Sequence, residues 1–345
     1  MGGELKAALI GVGAMGRGHL ENLIKLTGEG GRLALKAICD VDQAKLDGAV
    51  SKGNMGVGEG EMDLGVYDAY LSIEDMLKCF KPDLAVVALP TFLHSEVSCM
   101  LMERGVNVLC EKPMALSTAE CAAMAETSER TGARLMIGQC LRFWPQYEVL
   151  KRYADEGTFG KVKGAYFFRG GGTPKWSWEN WLLREEMSRG CLLDQHIHDV
   201  DMINHVFGLP SRVFTSAANA FPGSGYDIVS TNYMYDGLDA VINAQDDWTL
   251  NGEYGFEMVF RVNFERGSLI FSRDGSLRIL PSEGKALPCP DMPKENGYLR
   301  ELRYFVDAIL EGTEITVAPP RSTMDTIRIA EAELRSAASG AVAEV

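Results

Sequence analysis

Over the first 140 residues of the chain, short apolar runs alternate with longer stretches of helical periodicity. Each run is almost continuously apolar, which is typical of parallel strands that are covered on both faces. Ser72 with Asp75, and Ser117 with Glu120, have the spacing of capping boxes and predict helix starts between the runs. Alternating strand and helix indicates right-handed βαβ units in a doubly wound parallel sheet. The strands are predicted at 5–10, 33–39, 83–89, 106–110 and 134–138.

The pattern changes after residue 160, where the apolar runs become longer and are interrupted by turn residues. Asp236-Gly237 and Asp274-Gly275 are hairpin signals inside these runs. The pattern therefore predicts a large, open and mostly antiparallel sheet. Its strands are expected within 161–172, 211–220, 227–248 and 256–280.

Helical periodicity also occurs in the second part of the chain. It predicts one helix at 190–207, between the first two strands of the second sheet, and two closing helices at about 297–311 and 322–338. The glycine-rich stretch 53–65 predicts a loop. We expect the helix at 322–338 to pack back near the first domain. The predicted domains are an α/β domain over 1–140 and an α+β domain over 141–345.

The stretch GVGAMG follows the first predicted strand directly and opens the first helix. In such a GxGxxG turn Gly11 permits a tight turn, Gly13 lets a pyrophosphate approach the backbone, and Gly16 lets helix and strand pack closely. The N–H groups around Ala14 and Met15, together with the helix dipole, form an anion site. In this context the motif predicts a Rossmann-type dinucleotide-binding domain. The alternative is a tight turn that binds nothing.

Asp40 ends the second predicted strand, 24 positions after Gly16. A carboxylate there can accept hydrogen bonds from both hydroxyls of the adenosine ribose and would repel a 2′-phosphate. No arginine follows within the next ten residues. We therefore expect NAD as the cofactor in preference to NADP. As an alternative or an additional role, Asp40 could cap a helix.

Two further strand ends lie at the sheet edge where open parallel sheets bind ligands. Pro113 restricts the backbone of Lys112 to extended conformations, so this lysine is held more firmly than one on a surface helix. The bond before Pro113 could be cis, and a solvated loop lysine is the alternative interpretation. The cofactor contacts expected from these strand ends are Pro90, Thr91, His94, Glu111 and Lys112.

The stretch RGCLLDQHIHDVD at 189–201 contains two of the five histidines. On one continuous helix Asp194 and His198 would be i and i+4 and would share a face. That arrangement suits a base with a pKa near neutrality whose tautomer is fixed by a carboxylate. Asp194 could instead bind a substrate hydroxyl, and the whole stretch could simply form a polar helix face. It could also hold a metal, but no convincing third ligand is evident, so we predict no metal.

The segment before this helix and the end of the last parallel strand supply candidate substrate contacts. Tryptophan side chains between 176 and 181 could form an apolar wall for a sugar ring, or could pack under a loop. Arg142 could point toward the substrate or form a structural ion pair. Besides Asp194 and His198, the predicted substrate-binding residues are Gln139, Arg142, Trp176 and Trp181.

The stretches GVGAMGRGH, CDVD, LPTFLHSE, EKP and GCLLDQHIHDVD extend in this order over essentially the whole chain. In their order and spacing they resemble the family of glucose–fructose oxidoreductases, inositol dehydrogenases and rhizopine-catabolism proteins. The resemblance implies a Rossmann domain followed by an α+β domain whose open sheet mediates oligomerisation. Lys112 matches the catalytic lysine of that family, and Asp194 and His198 match its aspartate and histidine. The chain departs from the family at Gln195-His196, where Leu-Gly is commoner.

Composition restricts the possible partners. A formal net charge of −14 argues against nucleic-acid or anionic-membrane binding, because both need a concentrated positive field. The eight cysteines include no CxxC pair, and no long apolar segment or signal peptide is evident. We therefore expect a protein of the reducing cytoplasm.

The resemblance implies NAD(P)-dependent oxidation of a ring hydroxyl, or the reverse reduction, in a sugar, cyclitol or related polyol. We expect Lys112, Asp194 and His198 to carry proton transfer, with Lys112 or His198 as the immediate base. The expected assembly is a homodimer or homotetramer formed through the second sheet. Two different functions would also fit the motifs: an NAD-using glycosidase on the same scaffold, and a non-catalytic NAD or sugar sensor.

Overall fold

The computed structural model describes residues 4–30, 32–50, 58, 60 and 62–345, so most of the loop predicted at 53–65 lies outside the described residues. The chain divides into two compact units. The sequence prediction placed 176–181 and 298–324 in the second domain, whereas in the structure both segments belong to the first unit. One reason is an ion pair of 2.6 Å between Asp307 and Arg32, two residues of that unit. The first unit is Met1–Cys140, Trp176–Trp181 and Tyr298–Met324, and the second is Leu141–Lys175, Leu182–Gly297 and Asp325–Val345.

The elements follow one another closely along the chain. The strands are β1 (Leu5–Ile10), β2 (Leu33–Cys39), β3 (Asp68–Tyr70), β4 (Leu84–Val87), β5 (Asn107–Glu111), β6 (Leu135–Gly138), β7 (Val162–Gly170), β8 (Arg212–Ala218), β9 (Ile228–Met234), β10 (Val241–Asp247), β11 (Glu257–Phe264), β12 (Gly267–Phe271), β13 (Leu277–Pro281) and β14 (Ala343–Glu344). The helices are α1 (Ala14–Gly28), α2 (Gln43–Leu46), α3 (Ile73–Cys79), α4 (His94–Glu103), α5 (Thr118–Thr131), α6 (Pro145–Glu156), α7 (Glu185–Ser188), α8 (Gly190–Asp194), α9 (Ile197–Phe207), α10 (Gly297–Glu311) and α11 (Pro320–Ser339).

The first unit contains the doubly wound parallel sheet that the sequence predicts, with six strands in the order β3-β2-β1-β4-β5-β6. All four residues of β4 and of β6 are buried, which explains their unbroken apolar sequences. The predicted helix starts form with serine N-caps, because Ser72 accepts from the N–H of Asp75 and Ser117 from that of Glu120, each at 3.3 Å. Strand β3 was not predicted, since it is a short edge strand with exposed residues and no apolar run.

The second unit contains an eight-stranded sheet in the order β13-β12-β11-β7-β10-β9-β8-β14. The pair formed by β7 and β10 is parallel and the other pairs are antiparallel, which confirms a mostly antiparallel sheet. The two predicted hairpin turns connect antiparallel neighbours, β9 with β10 and β12 with β13, and have positive φ at Gly237 and Gly275. Buried side chains of β7, such as Ala165 and Phe167, alternate with half-exposed ones on this central strand.

The helix predicted at 190–207 is interrupted. Helix α8 ends at Asp194 and α9 begins at Ile197. At the break, the carbonyl of Cys191 accepts from the N–H groups of both Gln195 and His196 at 2.9 Å. The bond from His196 spans five residues, as in a π-type turn, which puts an extra residue into this turn. The prediction of one continuous helix was therefore wrong here, because the apolar pattern continues across the break and gives no sign of it.

Among the residues that the structure describes, no helix is both long enough and apolar enough to span a membrane.

Candidate active site

The glycine turn after β1 has the steric properties that the motif predicts. A Cβ on Gly11, whose φ is +93°, would overlap the carbonyl oxygen of Ala88, and a Cβ on Gly16 would overlap that of Gly11. A Cβ on Gly13 would meet no described atom within 4 Å. The turn is therefore tightly packed on two sides and open at Gly13, which fits the close approach of a pyrophosphate to the backbone.

Helix α1 begins at Ala14, with Gly13 as an N-cap that makes no side-chain hydrogen bond and with no acidic residue in the first turn. The N–H groups of Ala14 and Met15 belong to the first turn, which has no intrahelical acceptors for them. The positive end of the helix is thus available for an anion. Arg17 does not contribute its charge there, because its buried guanidinium donates to the carbonyls of Gly58 and Gly60 at 2.7 Å.

Asp40 lies against the glycine turn. Its Oδ2 accepts from the N–H of Val12 at 2.8 Å and its Oδ1 from that of Asp42 at 3.0 Å. The residue that caps α2 is Asp42, whose carboxylate accepts from the N–H of Ala44. The capping role considered for Asp40 was therefore wrong. The ammonium of Lys45 lies 3.5 Å from both carboxylate oxygens of Asp40. The sequence prediction did not include this ion pair.

His94 braces the two strand-end loops. Its Nδ1 lies 2.8 Å from the carbonyl oxygen of Pro113, and its Nε2 lies 2.8 Å from that of Leu89. Burial lowers the pKa of His94 even though both carbonyls favour its charged form. The Lys112–Pro113 bond is cis, one of the two forms that the sequence allowed. His94 therefore has a structural role in holding the lysine loop, while its contact with a cofactor stays a prediction. Pro90, which follows Leu89, is half-buried, and Thr91 is buried.

Lys112 is half-exposed between two buried neighbours, Glu111 and Pro113. Oε2 of Glu111 accepts from the backbone N–H of Lys112 at 3.1 Å, and Oε1 lies 2.6 Å from Nε2 of His19. Burial raises the pKa of Glu111, but the hydrogen bond and charge of His19 and the charge of Lys112 outweigh it, so the pKa is lowered. An ionised, fixed carboxylate thus holds the backbone of the predicted catalytic lysine.

A second carboxylate lies beside this pair. The donor atoms of three buried residues lie within 4.8 Å of one another, and we call them the His19 cluster: His19, Glu111 and Glu301. Among the described residues, neither oxygen of Glu301 has a hydrogen-bond partner. Burial, and then the charge of Glu111, raise the pKa of Glu301 well above its ordinary value. Burial without a described hydrogen-bond partner therefore favours the neutral form of Glu301.

The His19 cluster has the residue types of a metal site but not the spacing. Ligands that surround a zinc ion at about 2.1 Å in a tetrahedron are about 3.4 Å apart. The imidazole and carboxylate atoms of His19 and Glu111 are only 2.6 Å apart, which is the distance of a charge-assisted hydrogen bond. The sequence prediction missed Glu301, because it is 190 positions after Glu111 and has no motif around it.

In the second unit, Asp194 and His198 are distinguished by their exposure. Every residue from Gly190 to Asn204 is buried except these two, which are half-exposed. Because α8 ends at Asp194 and α9 begins after it, the two residues are not on one continuous helix, and the predicted i,i+4 geometry does not hold as stated. They remain the two polar side chains of this segment that reach the surface.

The other acidic residues of the segment are used in structural ion pairs. Asp199 lies 3.2 and 3.3 Å from the guanidinium of Arg169, and Asp201 lies 2.7 and 2.8 Å from that of Arg142. All four side chains are buried. Arg142 thus adopts the ion-pair role that the sequence left open for it, and its contact with substrate stays a prediction.

The remaining predicted substrate contacts are in segments of the first unit. Trp176 is 39% exposed and Trp181 is half-buried. Glu179 and Asn180 between them have φ values of 48° and 55°, a left-handed conformation that is uncommon for residues other than glycine. Gln139 is buried, and its amide nitrogen has no hydrogen-bond acceptor among the described residues. These side chains stay candidates for binding a substrate.

Family models match both parts of the chain. Residues 5–139 match the model described as "Oxidoreductase family, NAD-binding Rossmann fold", and residues 147–270 match the "GFO/IDH/MocA C-terminal domain". Together the two models cover most of the chain.

The sequence identity to individual proteins of known name is low. The chain is 26% identical to inositol 2-dehydrogenase 2 of Saccharopolyspora erythraea, over 99% of this chain and 95% of that protein. It is 33% identical to 2,7-anhydro-N-acetylneuraminate hydratase of Mediterraneibacter gnavus, but over 39% of this chain and 36% of the relative, so that match spans little more than a third of the relative's length. A levoglucosan dehydrogenase structure in complex with NADH and levoglucosan has a TM-score of 0.84 at 19% identity, with 99% of each chain covered, and so shares the fold.

Proposed function

The chain belongs to the GFO/IDH/MocA oxidoreductase family, and on that premise we propose that it transfers hydride between NAD and a ring hydroxyl or ketone of a sugar, cyclitol or related polyol. One observation carries the proposal. Lys112 in the first unit, and Asp194 and His198 in the second, are half-exposed residues within segments that are otherwise buried. These three side chains are of the types that hold or move a proton, and their exposure leaves them accessible to a substrate.

The residues of the glycine turn fit a dinucleotide. The open backbone at Gly13 and the N-terminus of α1 would hold the pyrophosphate, and Asp40 would accept hydrogen bonds from the ribose hydroxyls. A bound nicotinamide supplies the hydride acceptor or donor. The carboxylate of Asp40 would repel a 2′-phosphate, so we propose a preference for NAD over NADP. Lys45 reduces this repulsion without removing it, because its ammonium is 3.5 Å away.

Proton transfer is the part of the reaction that the chain's own side chains perform. An alcohol is a weak acid, so its proton must pass to a base as the hydride leaves. His198 or Lys112 takes that proton, and the charge of Lys112 also stabilises the developing alkoxide. Asp194 either stabilises the charged imidazole or binds a substrate hydroxyl. Trp176, Trp181 and Gln139 are the proposed contacts that orient the ring.

The test is a screen of sugars and cyclitols for reduction of NAD⁺ and NADP⁺, followed by kinetics of Lys112→Ala and His198→Ala. We expect kcat/KM to fall by a factor of about 10²–10⁴ in each variant, as is usual when a general acid or base is removed. Lys36→Ala removes an exposed lysine of β2 and serves as the control, with unchanged kinetics. Full activity in both site variants would disprove the assignment.

A second candidate function is NAD-dependent glycoside cleavage, in which transient oxidation activates elimination of a substituent. It is favoured by one comparison: the chain is 31% identical to a glycosyl hydrolase family 109 protein of Shewanella baltica, over 46% of this chain and 33% of that protein. Release of a glycoside's leaving group without net NADH would support this function. Net NADH from a free sugar would support the dehydrogenase.

We further propose that the protein works in the cytoplasm as a homodimer or homotetramer. Eight free thiols suit a reducing compartment. Tyr166 and Phe168 are half-exposed aromatic side chains on β7, in the middle of the eight-stranded sheet, and such side chains favour a protein interface. Light scattering of the wild type and of Phe168→Lys tests this, since a smaller assembly is expected for the variant. A monomeric wild type would disprove it.

A further inference from the structure

His196 lies at the break between α8 and α9 and is fully buried. Its Nδ1 is 2.6 Å from Oδ2 of Asp246 on β10, and its Nε2 is 3.3 Å from Oε1 of Glu333 on α11. An ionised carboxylate accepts hydrogen bonds, so both contacts are satisfied together when each ring nitrogen carries a hydrogen. The arrangement is therefore that of an imidazolium between two carboxylates. We call these three residues the His196 cluster: His196, Asp246 and Glu333.

The charges around the ring also require a cation there. Asp199 is balanced by Arg169 of β7, which leaves Asp246 and Glu333 to His196. The hydroxyl of Tyr233 on β9 lies 3.2 Å from Nε2, and the second oxygens of both carboxylates have no hydrogen-bond partner among the described residues. Without a proton on His196, two uncompensated negative charges would be buried together.

The pKa directions agree with this geometry. Burial lowers the pKa of His196, but the charges of Glu333 and Asp246 and their hydrogen bonds raise it further, to about 10.

The backbone of His196 forms the break itself. Its N–H shares the carbonyl of Cys191 with the N–H of Gln195, which makes the wide turn between Asp194 and His198. Gln195 is also buried, with its amide nitrogen 3.4 Å from the carbonyl oxygen of Arg169. Gln195 and His196, at which the chain departs from the family pattern, are thus both internal.

We propose that His196, as an imidazolium bonded to Asp246 and Glu333, is a positioning residue that fixes the wide turn and so sets the orientation of His198 relative to Asp194. This inference rests on the proposed function for the role it gives to His198. A continuous α-helix in this segment would rotate His198 relative to Asp194, because the extra residue of the turn would be absorbed. The cluster attaches the turn to β10 and α11 and prevents that change.

The first measurement needs no variant and no substrate. With only five histidines in the chain, ¹⁵N-histidine labelling gives a spectrum that can be assigned residue by residue. We expect His196 to show two protonated ring nitrogens at neutral pH and to keep them until the pH approaches its pKa of about 10. A neutral imidazole at position 196 at neutral pH would overturn the proposal.

The second measurement separates positioning from stability. In His196→Gln we expect the ¹⁵N signals of His198 to move and kcat to fall about tenfold or more, as for other displaced catalytic groups, while KM for NAD⁺ stays within about twofold. Asp236→Asn, which changes an exposed acid in the turn between β9 and β10, is the control for both readouts. Unchanged His198 signals in folded His196→Gln would overturn the inference. If the wild-type protein shows no turnover, the result counts against the proposed function. The inference about His196 is then decided by the ¹⁵N spectra alone.

Discussion

The His19 cluster of the first unit and the His196 cluster of the second contain the same groups, one imidazole and two carboxylates, all buried. In the His196 cluster the ring lies between both carboxylates, and the positive charge stays on the imidazole. In the His19 cluster the ring bonds Glu111 and no other side chain among the described residues, and burial favours a proton on the other carboxylate, Glu301.

The difference shows that the position of the proton follows from geometry and not from composition. A carboxylate within hydrogen-bond distance of a charged donor keeps its charge, whereas one that is buried without such a donor becomes neutral. Each cluster also lies next to a predicted catalytic residue, since Glu111 precedes Lys112 and His196 is two positions before His198. The buried charges therefore support side chains that are themselves half-exposed.

The largest expected effect comes from breaking the shorter contact of the His196 cluster. Asp246→Ala leaves the imidazolium with one partner, and removal of one member of a buried ion pair usually costs about 3–5 kcal/mol. The urea midpoint should fall accordingly. Asp239→Ala is the matched control, because it breaks a surface ion pair with Lys163 and should leave the midpoint unchanged. Equal midpoints for the two variants would mean that the buried pair contributes nothing.

A smaller expected change in the free energy of unfolding distinguishes Glu333 of the His196 cluster from Glu301 of the His19 cluster. Glu333→Gln removes a charge that the imidazolium needs and should cost about 2–3 kcal/mol, as for other hydrogen bonds to charged groups. Glu301→Gln replaces a group that is already neutral and should cost less than about 1 kcal/mol. The same urea titrations at neutral pH give both values. If Glu301→Gln proved the more damaging of the two, the neutral assignment of Glu301 would fail.

The smallest expected effect, taken for each pH unit, is the change with pH in the free energy of unfolding. His196 has a folded pKa of about 10 against an ordinary value of 6.5. Its stabilising effect is complete below 6.5 and is lost as the pH rises through this interval, because the unfolded chain releases the proton first. The stability difference between wild type and His196→Gln should therefore shrink by up to about 1.4 kcal/mol per pH unit. A constant difference would show that His196 is neutral in the folded protein.

The sheets and the motif-bearing turns could be predicted from the sequence. Unbroken apolar runs predict buried parallel strands because both faces of such a strand need apolar cover. The roles of Gly11 and Gly16 could be predicted because their motif directly follows a strand and opens a helix, and in the structure a backbone carbonyl lies where a Cβ would be. The edge strand β3 and the break after Asp194 could not, because the first has no apolar run and the second does not disturb the apolar pattern.

The partners of the buried histidines could not be predicted from the sequence either, for a different reason. His19 and Glu111 are 92 positions apart, and His196 and Glu333 are 137 apart. No local spacing encodes such pairs, since they depend on which helices pack beside which strand ends.

The sequence alone determined the alternation of buried strands and helices in the first unit, the glycine turn, and the motifs that contain Lys112, Asp194 and His198. These features are local, because they depend on backbone conformation and on periodic burial along one element. Only the tertiary structure decided that His196 lies between two carboxylates, that Glu301 has no hydrogen-bond partner among the described residues, and how Asp194 is separated from His198. Those properties depend on the distances between charges brought together by folding, and burial strengthens every such interaction by lowering the local dielectric constant.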